Sequence, residues 1–131
     1  MSISHTTSIF TNMLINLSNH PSGRWQTEQI QTATTHYGGV VDIPFPEVPP
    51  MATKEEVMRM AEGCVEHIEK MVTPAEAVVH IMGEMTLTYA IVALLKSKGY
   101  RCVASTTVRE VFEEEPGKKT VLFKFTQFRE Y

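Results

Sequence analysis

The chain has 131 residues, of which 43% are hydrophobic and 21% charged, and its formal net charge at pH 7 is −3. This length suits one domain with a buried core, and the composition is typical of a globular protein rather than a disordered or membrane-embedded one. The negative charge argues against a protein that coats duplex DNA or RNA, because such binding depends on neutralising many phosphates. It leaves room for a small anionic ligand, which a helix N-terminus and a few arginines can hold.

The sequence also indicates the compartment and the absence of a resident metal. No apolar run approaches the ~20 residues of a membrane-spanning helix, and residues 1–12 lack the basic start and apolar core of a signal peptide. We therefore expect a cytoplasmic protein with no membrane contact. Cys64 and Cys102 fit buried apolar positions better than a disulfide, and neither belongs to a metal-ligand spacing. We expect no metal and no cofactor.

The first half of the chain predicts two strands and two helices after a flexible lead-in. The lead-in is the Ser/Thr-rich segment 1–8, and a single domain follows over residues 9–131. The pattern predicts a strand over 9–17, a helix from Thr27 that ends at Gly38-Gly39, and a short strand over 40–43. Four prolines in "PFPEVPP", residues 44–50, predict a stiff loop. Thr53 and Glu56 have the spacing of a capping box, which begins an amphipathic helix.

The second half predicts another strand and helix and then a change of pattern. Residues 77–82 read as a buried strand, and the helix after Gly83-Glu84 ends at Gly99. Residues 101–105 form the fourth predicted strand. The segments 107–113 and 119–128 are joined by a turn at Pro116-Gly117, so they predict a C-terminal β-hairpin.

This order, β-α-β-α-β-α-β followed by a hairpin, predicts an α/β fold. Alternating strands and helices favour parallel pairing through right-handed crossovers, which gives a Rossmann-like, three-layer, mainly parallel sheet. The hairpin extends one edge of that sheet. Because an aromatic edge strand is prone to pair with another chain unless it is covered, we expect a homodimer, or a higher assembly built through the same edge.

Polar residues collect at the predicted carboxyl ends of the strands, where open parallel sheets bind their ligands. They follow the first, third and fourth strands, and the candidate ligand-binding residues are Ser18, Asn19, His20, Arg24, Trp25, Gly83, Glu84, Thr86, Thr88, Ser105, Thr106 and Arg109. Asn19 and His20 offer hydrogen bonds, Arg24 a fixed charge and Trp25 a stacking plane. The competing interpretation of the segment from Ser18 to Pro21 is simple turn chemistry.

Glu84 has several possible roles at the start of its helix. A carboxylate there caps the helix, binds a sugar or base edge, or acts as a general acid or base. Thr86 has the competing interpretation of a plain N-cap. Neither GxxxxGK[ST] nor GxGxxG occurs, which removes the main support for an ATPase or a dinucleotide dehydrogenase. Among the other histidines, His36 and His67 fit solvated positions and His80 a core position in its strand.

Four phrases of the sequence carry a family resemblance: "NLSNHPSGRW", "VDIPFPEVPP", "MGEMTLTYAIVALLKSKG" and "FKFTQFREY". Together they resemble a small CRISPR-associated accessory protein of the Csx type, found with type III systems, over roughly Met13 to the terminus. That family is similar to the CARF group of Rossmann-like domains. The resemblance implies binding of a cyclic oligoadenylate second messenger at a homodimer interface, where some relatives cleave the ring and others only hold it.

The resemblance also implies roles for individual residues. Arg24 and Arg109 neutralise phosphates, Trp25 stacks on adenine and Asn19 contacts a base edge. In a metal-free ring nuclease, His20 is the general acid or base and Arg24 stabilises charge. Two alternatives stay open. One is a small Rossmann-like enzyme that acts on a nucleoside or mononucleotide through Glu84, and the other is a protein-interaction module that uses the hairpin edge.

Overall fold

The computed structural model describes residues 12–131, which form five strands and three helices. The predicted lead-in of residues 1–8 and the first three residues of the predicted first strand lie outside this range. The elements in chain order are β1 (Met13–Ser18), α1 (Thr27–Tyr37), β2 (Val40–Pro44), α2 (Lys54–Met71), β3 (Ala77–Met82), α3 (Met85–Ser97), β4 (Arg101–Glu115) and β5 (Lys118–Glu130). One turn of 3-10 helix, Ser22–Arg24, lies between β1 and α1.

The helix ends follow from local chemistry. The backbone of Gly38 adopts φ +86° and ends α1, a conformation that residues with a side chain rarely adopt. At the start of α2, Thr53 Oγ1 accepts from the backbone N–H of Glu56 at 3.1 Å, and Glu56 Oε1 accepts from the N–H of Thr53 at 2.8 Å. The predicted capping box is therefore present.

The five strands form one sheet in the order β2-β1-β3-β4-β5. β1 pairs in parallel with β2 and β3, β3 pairs in parallel with β4, and β5 is antiparallel to β4. The predicted α/β class, the mainly parallel sheet and the C-terminal hairpin are confirmed. The carboxyl ends of the four parallel strands face the same way, and the residues that follow β1 and β3 lie at that edge.

The sheet buries a different apolar cluster on each face, because successive side chains of a strand point in opposite directions. Ile15 and Leu17 of β1 belong to the larger cluster with buried residues of α2 and α3. Leu14 of β1 belongs to the smaller one, which contains Ala33 of α1 and contacts Trp25. No helix in residues 12–131 combines the length and apolar character needed to cross a membrane.

The predicted boundary between the fourth strand and the hairpin is wrong. β4 continues from Arg101 to Glu115 as one strand, so the first arm of the hairpin is the extension of the fourth strand. Ser105-Thr106-Thr107 contains no residue that breaks a strand. The irregularity lies in the partner strand instead, where the pairing steps from Thr106 with Gln127 to Thr107 with Phe125.

This step leaves Thr126 as the extra residue of a β-bulge in β5, and the bulge reverses the alternation of side chains. Simple alternation places Phe128 opposite Phe123 and Phe125. With the bulge, Phe128 and Phe125 lie on the same face, and their ring centroids are 4.9 Å apart. The aromatic side of the hairpin therefore faces α1 and Trp25.

Candidate functional site

A buried amide connects the carboxyl end of β1 to its surroundings. Asn16 is 1% exposed, and its Nδ2 donates to the carbonyl oxygen of His20 at 2.9 Å and to Asp42 Oδ1 at 2.8 Å. Its Oδ1 accepts from Ser18 Oγ at 2.8 Å and lies 2.8 Å from His80 Nδ1. Because Nδ2 faces two acceptors, the amide orientation is determined, and His80 Nδ1 must carry the proton that Oδ1 accepts.

The same network holds the backbone of the loop after β1. The carbonyl oxygen of His20 accepts from Asn16 Nδ2 and from Trp25 Nε1 at 2.9 Å, and it lies 3.2 Å from Ser18 Oγ, whose proton is donated to Asn16. The N–H of His20 donates to Ser18 Oγ at 3.1 Å. Ser18 thus positions the loop from beneath, and the exposed side chain of His20 projects from an anchored backbone.

Asp42 of β2 also holds the loop after β1 in place, and the sequence pattern did not identify it as a functional residue. Its Oδ1 accepts from the N–H of Ser22 at 3.0 Å and its Oδ2 from Ser22 Oγ at 2.7 Å, in addition to the bond from Asn16. Burial raises the pKa of Asp42, but the hydrogen bonds from Asn16 and Ser22 outweigh burial, so the pKa lies below its ordinary value. The carboxylate is held ionised and fixes the 3-10 turn.

A cavity of about 430 Å³ opens beside this loop, on the sheet face that α1 covers. The predicted residues that line it are His20, Arg24, Trp25 and Ser105. The structure thus brings together the segments after β1 and within β4, as the carboxyl-end rule predicts. Ser105 Oγ donates to Met82 Sδ at 3.0 Å, which ties the wall of the cavity to the end of β3.

His80 is the residue of this cavity that the sequence did not identify as functional. It is 1% exposed and lines the cavity, and within residues 12–131 its Nε2 has no hydrogen-bond partner. Burial, and secondarily the nearby His20, lowers the pKa of His80 from 6.5 to about 4. The imidazole is therefore neutral at pH 7, with the proton on Nδ1 and an unprotonated lone pair on Nε2.

Aromatic rings and an amide form the remaining walls. The Trp25 ring lies 5.3 Å from that of His80 and 5.9 Å from that of Phe128, measured between centroids. Phe123 and Phe125 of β5 also line the cavity. Gln26, which precedes α1, donates from Nε2 to the carbonyl oxygen of Phe123 at 2.6 Å and accepts at Oε1 from the N–H of Phe125 at 2.9 Å. One side chain thus bridges α1 to the outer edge of β5.

The predicted residues at the start of α3 lie outside this cavity and support the helix. Glu84 is the N-cap: its Oε1 accepts from the N–H of Leu87 at 2.8 Å and from Thr86 Oγ1 at 2.6 Å. The hydrogen bond from Thr86, followed by that from Leu87, lowers the pKa of Glu84. A Cβ on Gly83 would come within 2.5 Å of the Phe45 ring, so the close approach at this glycine comes from the proline-rich loop.

The other predicted residues are spread over separate surfaces. Thr88 lines a second cavity of about 330 Å³, and its buried Oγ1 has no partner in the described part of the chain. Asn19 and Glu84 line a third cavity of about 630 Å³ along the proline-rich loop. Thr106 donates to the carbonyl oxygen of Gln127 at 3.2 Å. Arg109 pairs across the hairpin with Phe123, beyond the first cavity.

A model described as the Uncharacterized protein MJ1673 family matches residues 12–129. No curated protein and no solved structure shows a significant match to the chain.

Proposed function

The chain belongs to the Uncharacterized protein MJ1673 family, and we propose that it binds a cyclic oligoadenylate, the second messenger of type III CRISPR antiviral signalling, and sequesters or degrades it. The proposal places one adenylate unit in the cavity of about 430 Å³ beside the β1 loop. It includes a Rossmann-like domain of the CARF kind, a homodimer with the binding site at its interface, and a cytoplasmic location.

The observation that carries the proposal is that Trp25, Arg24 and His20 line the same cavity. A nucleotide presents a flat ring to stack and a phosphate to neutralise, and an indole next to a guanidinium meets both needs. The position of the cavity supports the same interpretation, since mainly parallel sheets bind nucleotides beyond the carboxyl ends of their strands.

For the degrading form of the activity, we assign His20 and Arg24 as the catalytic residues. The ribose 2′-oxygen attacks the adjacent phosphorus while His20 takes the 2′-hydroxyl proton. The new bond joins the 2′-oxygen to phosphorus, and the bond from phosphorus to the 5′-oxygen breaks. The departing 5′-oxygen takes a proton from solvent water, which leaves a linear product with a 2′,3′-cyclic phosphate, and His20 later releases its proton to solvent. Arg24 offsets the negative charge that builds on the phosphoryl oxygens.

The test is to incubate the purified protein with cyclic tri-, tetra- and hexa-adenylate and to measure both retention of the ring and formation of linear products. Arg24→Ala should weaken binding about tenfold or more, because a charge-assisted contact to phosphate is lost. Arg129→Ala is the matched control, since Arg129 is exposed and lies on the other face of β5. Retention of none of the three rings would rule out the proposal, and binding without linear products would remove the assignment of His20 and leave a sponge.

The hairpin favours a second candidate function, that of a protein-interaction module. Large apolar side chains on both of its faces are about half exposed: Val108 at 52%, Phe112 at 46% and Leu122 at 47% on one face, and Phe123 at 55% on the face that lines the cavity. Monomers rarely leave a group of large apolar side chains in water without a partner. In the leading proposal this surface serves the homodimer. In the alternative it receives a different protein, and the oligomeric state of the purified chain separates the two.

A further inference from the structure

One ring nitrogen of His80 has no hydrogen-bond partner within residues 12–131, and this indicates a role in ligand recognition. Buried polar atoms in folded proteins nearly always have a hydrogen-bond partner, and an acceptor left without one destabilises the protein. Of the two ring nitrogens of His80, Nδ1 donates a hydrogen bond to Asn16, whereas Nε2 has no hydrogen-bond partner within residues 12–131. This residue also lines the proposed ligand cavity.

We propose that His80 is a specificity-determining residue whose Nε2 accepts a hydrogen bond from an amino group on the ligand's ring. The proposal rests on the proposed function for the identity of the ligand, and it adds that the site distinguishes purines by the group at position 6. A 6-aminopurine offers an N–H donor to Nε2. A 6-oxopurine offers an oxygen at the same place, which sets one acceptor against another and leaves both without a partner.

The hydrogen bonds of Asn16 fix Nε2 of His80 as an acceptor. Asn16 cannot rotate its amide without separating Nδ2 from the carbonyl oxygen of His20 and from Asp42. His80 therefore cannot exchange its tautomer without losing the bond from Nδ1. Because Nε2 stays unprotonated, the site selects a ligand group that donates a hydrogen bond and rejects one that only accepts.

The aromatic contacts of His80 indicate which side chains a ligand ring must displace to reach this nitrogen. Nε2 is covered in the free protein, and the rings of Trp25 and Phe128 approach His80 nearly at right angles, with centroids at 5.3 and 5.5 Å. Trp25 is half-buried and is held by one hydrogen bond to the carbonyl oxygen of His20. In the proposed mode the purine displaces the indole, which then covers the purine.

The experiment compares two matched pairs of probes on the full chain. Cyclic tetra-adenylate is measured against the same ring built from inosine, and adenosine at high concentration is measured against inosine. The wild-type protein should prefer the amino form by about tenfold or more, the range expected when a buried acceptor is denied its donor. In His80→Phe this preference should fall to near one. His36→Phe, at an exposed position of α1, is the control and should keep the preference.

A second measurement uses the wild-type protein alone, in case His80→Phe does not fold. The ¹⁵N resonance of His80 Nε2 should start at the position of an unprotonated imidazole nitrogen and move toward a hydrogen-bonded value with adenosine but not with inosine. Equal binding of both rings, or an Nε2 signal that adenosine leaves in place, overturns the role of His80. Adenosine recognition without binding of any cyclic oligoadenylate overturns the proposed function instead and leaves the role of His80 intact.

Discussion

At the scale of single residues, the network around Asn16 supports both the fold and the site. Its side chain joins β1 to β2 through Asp42, to β3 through His80, and to the following loop through the backbone of His20. With the hydrogen bond from Ser18 Oγ, four polar contacts end on this one amide, which is 1% exposed. The loop that carries His20 and Trp25 to the cavity therefore depends on a side chain that does not line it.

Replacing Asn16 tests this dependence. Asn16→Ala should lower the free energy of unfolding by about 3 kcal/mol, because it leaves several buried or half-buried groups without partners. Urea denaturation followed by circular dichroism gives the value. Asn19→Ala is the control: Asn19 is exposed, and its truncation should cost about 0.5 kcal/mol or less. Equal effects of the two substitutions would show that the network adds nothing.

The pH dependence of stability tests the burial of His80. Because its pKa falls from 6.5 to about 4 on folding, the unfolded chain takes up the proton first as the pH drops. The associated stability is fully present above pH 6.5 and is lost progressively as the pH falls through about 4, and it amounts to about 3 kcal/mol.

The pKa values of Asp42 and Glu84 are also lowered, so these groups contribute to the loss at acidic pH. Unfolding profiles of the wild type and of His80→Phe should therefore be subtracted from one another. The difference should begin near pH 6.5, above the range in which carboxylates titrate. A difference that stays flat between pH 6.5 and 5 would contradict a buried, neutral His80.

At the scale of the elements, Gln26 is the connection between α1 and the hairpin. Its amide makes two hydrogen bonds to the outer edge of β5, to the carbonyl oxygen of Phe123 and the N–H of Phe125, and so takes the place of a neighbouring strand. This arrangement protects an otherwise open edge and holds the aromatic wall of the cavity against Trp25.

Gln26→Ala should release the edge locally without unfolding the domain. Hydrogen exchange at the amide of Phe125 should accelerate about fivefold, since one hydrogen bond typically contributes about 1 kcal/mol. Gln29→Ala is a suitable control, because Gln29 lines the same cavity but is not the residue that bridges to β5. Unchanged exchange at Phe125 in Gln26→Ala would show that the bridge does not protect the strand.

The sequence predicted the elements well wherever a local pattern defines them. Thr53 and Glu56 marked the start of α2, and Gly38 marked the end of α1, because caps and left-handed turns require particular residue types. The bulge at Thr126 has no such local mark. Its effect, the transfer of Phe128 to the cavity face, depends on the pairing of β5 with β4.

The difference between local sequence patterns and strand pairing also explains which parts of the candidate site could be predicted. His20, Arg24 and Trp25 follow the end of a strand, so the carboxyl-end rule places them at the rim from sequence alone. His80 lies inside β3 and has the pattern of a core residue. Its role follows from the register, which sets it opposite Asn16 on the neighbouring strand. A register between strands that are 64 positions apart is a tertiary property that no local pattern contains.

At the scale of the whole molecule, the hairpin carries large apolar side chains that a single copy of the chain leaves about half exposed. We expect the purified protein to be a homodimer by light scattering and Phe112→Lys/Leu122→Lys to be a monomer at the same micromolar concentration. Both side chains are nearly half exposed, at 46% and 47%, and the pairing of β4 with β5 places them on one face of the hairpin. Burying two such side chains contributes about 1.5 kcal/mol or more each, so their replacement by charges should raise the dimer dissociation constant at least a hundredfold.

The control, Gln31→Lys/Thr35→Lys on the exposed side of α1, adds the same charge and should remain dimeric. A monomeric wild type would exclude the homodimer and favour a different partner for the hairpin, whereas a dimeric Phe112→Lys/Leu122→Lys variant would place the interface elsewhere on the molecule.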